Sequence, residues 1–335
     1  MTYGEIWERG MARLEEMGRA NDLDLACETR SSTSLNRKYL DSIAIEMRLL
    51  KAVVADTTTQ LFGTQLQSPV IGAPLGFGRV LGQLAEHGPQ YGTGYLEPIA
   101  AGLADAGSMM GVGVAPAEQL QSVLDVGAPT YVIVKPYRER ERILSKIRDA
   151  EARGVVAVGI DIDAGYGVRT RYEPVGETYN APLSPAELAE VRASTKLPFI
   201  LKGILSVSDA RAAVDAGVDT IVVCNHGGEI IDYAVPPLKV LPDIVEALAD
   251  SKITILVGSG LQTGTDVLKA LALGADAVML GTPLIVGLAA AGADGVAALV
   301  RGLSDELRRN LSIVGAATPS DVDRSILHFP FLGGS

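Results

Sequence analysis

Between residues 70 and 283 the chain repeats one pattern: a short apolar run closes on polar or glycine-rich punctuation, and a stretch of helical periodicity follows. Eight such runs are present, at residues 70–75, 107–113, 131–136, 156–162, 198–204, 220–226, 254–260 and 277–283. Strands buried on both faces are continuously apolar, and alternation with helices implies parallel pairing. The segments between them, such as RERERILSKIRDAEARG, SPAELAEVRAST and SVSDARAAVDAG, supply the helices, several opening on a Ser, Thr or Asp cap and closing on Gly. The pattern predicts an α/β fold of one domain: a TIM (β/α)8 barrel over 69–315, an N-terminal helical extension over 1–68 and a C-terminal tail over 316–335. A length of 335 residues suits this, since one barrel commonly occupies about 250. The polar stretch 165–182 exceeds what a strand-to-helix connection needs and is a candidate lid or substrate loop. Residues 232–242 are expected to form a loop over the barrel mouth.

Composition narrows the partners. Hydrophobic residues make up 47 % and mean hydropathy is +0.24, enough for one large core. The formal charge of −11, from 40 acidic and 29 basic side chains, comes without any basic run or aromatic–basic interleaving. Nucleic acid and anionic membrane are poor partners for such a surface. Cys27 and Cys224 have no metal-type spacing, no metal is expected, and a reducing cytoplasm is the natural compartment. Ile6, Met11, Leu14 and Met17 recur near helical spacing among charges, so the N-terminus reads as a surface helix and not as a signal sequence. The longest apolar tract, 271–300, carries Asp276, Asp294, Pro283 and several glycines. It reads as a buried strand between helices and not as a membrane span.

Candidate chemistry collects at the predicted strand ends, where barrel active sites form. Gly258, Gly260 and Gly264 surround the turn after strand 7, and GTP at 281–283 makes a tight exit from strand 8. Glycine lets backbone N–H groups approach an anion and a helix N-terminus favours it, so a phosphate site is expected there. His226, one of three histidines, closes strand 6 before Gly227 and Gly228 and is a candidate general base. Asp161 and Asp163 end strand 4 two residues apart, on the same side, so either could orient His226, while Asp163 could also be a helix cap or loop ligand. Lys202 interrupts an apolar strand and suits an anionic ligand.

These residues resemble the FMN-dependent α-hydroxy acid oxidase and dehydrogenase family, which includes glycolate and lactate oxidases. The likeness runs through NRKYLDSI, APLGF, LKGIL, NHGG, GTDVLKALALGA and DELRRNLSIVG. It implies an FMN whose ring lies near Ala73, Pro74, Leu75 and Gly113. The phosphate would lie at Gly258, Ser259, Gly260 and Gly281, with Gln262 and Thr282 standing where the family has arginines. It implies Lys202 at the flavin N1/O2 edge and His226 taking the substrate proton while hydride reaches flavin N5. Asp161 would support the imidazolium. A small-molecule substrate and a homotetramer are also implied.

The departures concern the substrate. Glu229 stands where the family has a carboxylate-binding arginine, and Lys135 where it has a tyrosine. A second tyrosine, expected near residues 21–24, is missing, and the arginine after strand 4 has only Arg169 or Arg171 beside Val168 as counterparts. Lys135, Glu229 and Arg169 are therefore the candidate substrate contacts. A carboxylate facing Glu229 without an arginine clamp meets repulsion, so a simple 2-hydroxy acid is disfavoured. Glu229 faces the substrate or turns outward to Arg169 or Lys239. The leading expectation is an FMN oxidoreductase acting on CH–OH. The alternatives are a non-redox FMN enzyme similar to type 2 isopentenyl diphosphate isomerases, or a flavin-binding protein without turnover.

Overall fold

All eight predicted strands form, and they close on themselves. The computed structural model describes residues 1–24, 26–76, 94–167 and 179–329. In it nine parallel strand segments run in one sheet whose first and last members, Val70–Gly72 and Pro74–Leu75, are halves of a single strand, β1. The order between them is β8 (Ala277–Leu280), β7 (Thr254–Val257), β6 (Thr220–Val223), β5 (Phe199–Ile204), β4 (Ala157–Asp161), β3 (Thr130–Val134) and β2 (Met110–Val112). The sequence suggested an unbroken β1, but it splits at Ala73. The Gly72 N–H donates to Met109 and the Ala73 N–H to Leu280, while Pro74 has no N–H to continue either ladder. The first half thus pairs with β8 and the second with β2, which closes the barrel.

Ten helices matter here: α1 (Tyr3–Glu16), α2 (Ser31–Asp41), α3 (Leu96–Asp105), α4 (Ala117–Asp125), α5 (Arg140–Ala152), α6 (Pro185–Ala193), α7 (Val207–Asp215), α8 (Pro237–Ala247), α9 (Gly264–Ala272) and α10 (Thr282–Val314). Alternate strand residues face inward. Ile71, Tyr131, Ile133, Ala157, Ile200, Val222, Leu256, Ala277 and Met279 form an inner core distinct from the one beneath the helices. Leu61 and Leu66, from the ribbon Thr59–Leu61/Thr64–Leu66, join this inner core, and Phe62 meets Tyr131 at the start of β3. The ribbon therefore closes the N-terminal end. Gly159 is required where β4 meets β5, because a Cβ would lie 2.1 Å from the Ile200 carbonyl oxygen. Continuing the inward register in steps of two brings Lys135, Asp161, Lys202 and His226 to the open end.

Helix α10 is the one element among the described residues that is long and apolar enough to cross a membrane, yet 72 % of its apolar window is buried. It breaks at Ala291 and Gly292 (φ 62°) and packs against α1 and α3. It is a core helix, in line with the reading of 271–300. Residues 232–242 do not form one loop, since α8 begins at Pro237 and Asp232 turns toward α2.

Candidate active site at the strand ends

Strand register assembles the charged centre. Asp161 lies directly opposite Lys202 across β4 and β5, and Lys135 follows Val134, whose neighbour on β4 is Ile160. Opposite charges placed this way pair across strands. The Lys202 Nζ donates to Asp161 Oδ1 at 2.8 Å and the Lys135 Nζ to Asp161 Oδ2 at 2.5 Å. The Asp161 and Lys202 side chains are only 4 % and 9 % exposed. Burial alone would push the Asp161 carboxyl up, but His226, Lys202 and Lys135 hold it well below the usual carboxylate range. Burial likewise works against the Lys202 ammonium, which Asp161 raises well above its ordinary value. Both groups are charged because they are paired.

His226 occupies a tight turn whose backbone has φ 51°, in the left-handed region. A non-glycine residue held there commonly marks a functional constraint. Its Nδ1 lies 3.0 Å from Asp163 Oδ1, 3.1 Å from Lys202 Nζ and 3.6 Å from Asp161 Oδ1. The sequence reading assigned support of the imidazolium to Asp161. Asp161 stands within ion-pair reach of Nδ1 at 3.6 Å while its oxygens also receive both lysines, and Asp163 makes the shorter hydrogen bond. Nδ1 cannot donate to Asp163 and also accept from Lys202, so the nearer carboxylate keeps hydrogen on Nδ1. The Nε2 lone pair is then the basic position, and it has no hydrogen bond among the described residues. Gly203 makes room for this arrangement: it has φ 103°, and a Cβ there would lie 2.6 Å from the Asp163 carboxyl carbon. The glycine of LKGIL was the available sequence signal for Asp163. Asp161, Asp163 and His226 converge closely enough to hold a cation, but the Lys202 ammonium already lies among them.

Glu229 follows on the same turn, its N–H donating to the His226 carbonyl at 3.2 Å. Its side chain is half-buried and forms no ion pair with Lys239. Burial pushes its carboxyl up, against the nearby charges of His226, Lys135 and Lys202. Of the outward partners the sequence offered, Lys239 is not paired with it, and Arg169, with Val168 and Arg171, lies outside the described residues. Cys224, which sequence reasoning did not place at the site, is buried behind the turn, and burial pushes its thiol up to about 11, so it stays protonated.

The N-terminal extension braces this turn. Asn36 and Asn225, both buried, pair through their side chains. The Asp232 carboxylate accepts from the N–H groups of Ser31 and Ser32, capping α2 from about 200 residues away. The Cys27 N–H donates to the Gly228 carbonyl. None of these cross-chain supports carries a local sequence signal.

The anion cradle differs in one respect from expectation. The start of α9 is filled by the protein's own carboxylates: Gly264 N–H and the Thr265 hydroxyl donate to Glu306, and the Gln262 and Thr263 N–H groups donate to Asp266. Asp266 is held in turn by a two-pronged pair with Arg37 at 2.8 and 2.9 Å. Gln262 also gives its carbonyl to the Tyr3 hydroxyl, so its backbone and Gly264 are withdrawn from the expected phosphate site. By contrast, the N–H groups of Ser259, Gly260, Gly281 and Thr282 have no acceptor among the described residues. Thr282 begins α10, whose N-terminus adds a favourable dipole. A Cβ on Gly258 or Gly281 would meet nothing closer than 3.7 and 3.8 Å, respectively, so space remains there for a bound group.

Residues 19–176 and 165–329 match the sequence profile of the FMN-dependent dehydrogenases. The chain is similar to a 4-hydroxymandelate oxidase of Amycolatopsis orientalis, 33 % identical with 86 % of this chain and 87 % of the relative covered. It is also similar to an L-lactate oxidase of a Nostoc species, 31 % identical with 88 % of each covered. Among solved structures it superposes on a mandelate oxidase variant with benzoyl-formic acid, with a TM-score of 0.84, 31 % identity and 98 % of each chain covered. A mandelate oxidase mutant with the C4a-OH-FMN adduct gives a TM-score of 0.81 at 33 % identity, covering 92 % of this chain and 94 % of that one.

Proposed function

This chain belongs to the FMN-dependent dehydrogenase family and is an FMN-dependent α-hydroxy acid oxidase-type oxidoreductase acting on CH–OH; we propose that His226 is its general base and that its substrate is not a simple 2-hydroxy acid. The residues present fit the cofactor: four N–H groups without an acceptor among the described residues and two open glycines can receive the single phosphate, next to the start of α10. Ala73, Pro74, Leu75 and Gly113 would border the ring, and Lys202 its polar edge. When bound, FMN supplies the two-electron acceptor. His226 Nε2 accepts the hydroxyl proton as the C–H bond breaks and the carbonyl forms, and Asp163 offsets the positive charge that develops on the imidazole. Asp161 keeps both lysines charged and fixed.

The single observation that carries the base assignment is the 3.0 Å contact from Asp163 to Nδ1, which leaves Nε2 as the basic nitrogen, without a hydrogen bond among the described residues. Support for an unusual substrate comes from Lys135, whose charge Asp161 already offsets, and from Glu229. A substrate carboxylate would lose a charge-assisted bond of about 1.5–3 kcal/mol and meet Glu229 instead. His226→Asn tests the base, since Asn tolerates left-handed backbone. FMN should remain bound while flavin reduction slows roughly 10²–10⁴-fold; retained turnover with lost FMN makes His226 structural. Anaerobic bleaching by an alcohol distinguishes an oxidoreductase from an isomerase or a non-catalytic flavin binder. Rapid reduction by glycolate, lactate and mandelate alike would reject the substrate claim. The same reading extends to a cytoplasmic homo-oligomer: neither cysteine is disulfide-bonded, and Met47, Leu49, Leu50 and Val54 form an exposed apolar run, whose role in assembly size-exclusion chromatography can test.

A further inference from the structure

Among the described residues, the charged groups at the barrel mouth are paired with one exception. Asp161 receives two ammoniums, and Asp163 receives His226. Glu229 sits on the His226 turn, half-buried, and its carboxylate makes no hydrogen bond or ion pair among the described residues. A carboxylate withdrawn from water needs a donor, and no hydrogen bond or ion pair among the described residues supplies one. Among the described residues, two ammoniums, of Lys135 and Lys202, stand against three carboxylates, of Asp161, Asp163 and Glu229. While His226 is neutral this leaves one negative charge unmatched. An anionic substrate would double that excess, and a cationic one would cancel it.

We infer that Glu229 is the substrate-selecting residue and that the substrate is an alcohol carrying a protonated amine close to its carbinol carbon. The inference rests on the reading of the site as an oxidant of CH–OH. The ammonium donates to Glu229 while the hydroxyl lies at His226 Nε2. In the reaction the O–H and C–H bonds break and the C=O bond forms. The hydroxyl proton goes to His226, the carbon-bound hydrogen leaves with its electron pair, for which FMN when bound would be the acceptor, and the amine keeps its proton throughout. Burial, which pushes the Glu229 carboxyl up, is relieved when a cation binds, so the amine also secures the charge of its own partner.

The test uses the FMN-loaded protein and three matched secondary alcohols: 1-amino-2-propanol, 1,2-propanediol and lactate. Binding is read from perturbation of the flavin spectrum and reduction from anaerobic bleaching. The amino alcohol should bind tighter than lactate by about 10–100-fold, the span of one charge-assisted hydrogen bond. In Glu229→Gln that preference should collapse, with FMN content unchanged and a thermal midpoint no lower than the parent's. Lactate binding as tightly as the amine, an equal response to all three including no response, or an unchanged preference in Glu229→Gln would overturn the inference. If the amine binds with the expected preference but never bleaches the flavin, the oxidation reading fails and the charge selection stands. If lactate reduces the flavin faster than the amine does, the selection fails and the oxidation reading stands.

Discussion

Asn36 and Asn225 exchange side-chain hydrogen bonds, the Nδ2 of each donating to the Oδ1 of the other at 3.1 and 2.8 Å, with both residues buried. This pair bolts α2 to the residue that precedes His226. Asn36→Ala leaves the Asn225 amide largely unpaired, which should cost about 1–3 kcal/mol. Urea unfolding should show that loss, and flavin reduction should slow as the turn loosens. An unchanged midpoint would mean the pair is dispensable.

The two aspartates of β4 and its following turn separate by the kind of damage they cause. Asp161→Asn strands the buried Lys202 ammonium and the half-buried one of Lys135, a loss of roughly 3–5 kcal/mol by analogy with broken buried pairs. Asp163→Asn keeps an acceptor for Nδ1 but removes the charge that supports the imidazolium. Its main effect should be on flavin reduction, slowed by about 10²-fold or more. Thermal melts and anaerobic stopped-flow on both variants check the division; equal effects on both readouts would dissolve it.

Glu229 gives stability a specific pH slope. Its folded-state value is raised from 4.5 by burial, so the protein's stability from this group is fully present below that unfolded value. It declines as pH rises through the higher folded one. Glu229→Gln should therefore gain on the parent chain across that window and hold a constant margin above it. Denaturation at stepped pH measures the margin, and parallel curves would place Glu229 in solvent.

The cradle makes a prediction about binding without turnover. Gly258→Ala and Gly281→Ala add methyl groups into space that no protein atom occupies within 3.7 Å. The apoprotein should melt as before while FMN affinity, followed by flavin fluorescence quenching, drops at least about tenfold, the effect of losing about 1.4 kcal/mol. Unaltered affinity would move the phosphate elsewhere.

Much of this was legible in the chain because strand periodicity is a local signal. The inward places of Lys202 and Asp161, and of His226 beyond β6, follow from counting by two. What escaped depends on contacts between distant segments. That Lys135 would meet Asp161 follows from the register of β3 against β4, which turns and loops set. Asp161 ends β4, but Asp163 lies in the short 3-10 helix after it, Ile162–Tyr166, so the two do not share a strand face as counting by two suggested, and Gly203 leaves the room Asp163 occupies. The α9 turn looked free to bind an anion because Glu306, on α10, answers its N–H groups from 42 residues away.

The bracing of the His226 turn by α2 also sets an order of events on the ribosome. Asn36 emerges 189 residues before Asn225, a delay of about ten to forty seconds at ordinary synthesis rates. Through that interval α2 lacks both its amide partner and the Asp232 carboxylate that caps it. Its arginine, Arg37, waits longer still for Asp266. A nascent chain interrupted before these residues has no finished catalytic turn, so readiness for chemistry reports that most of the barrel has been made.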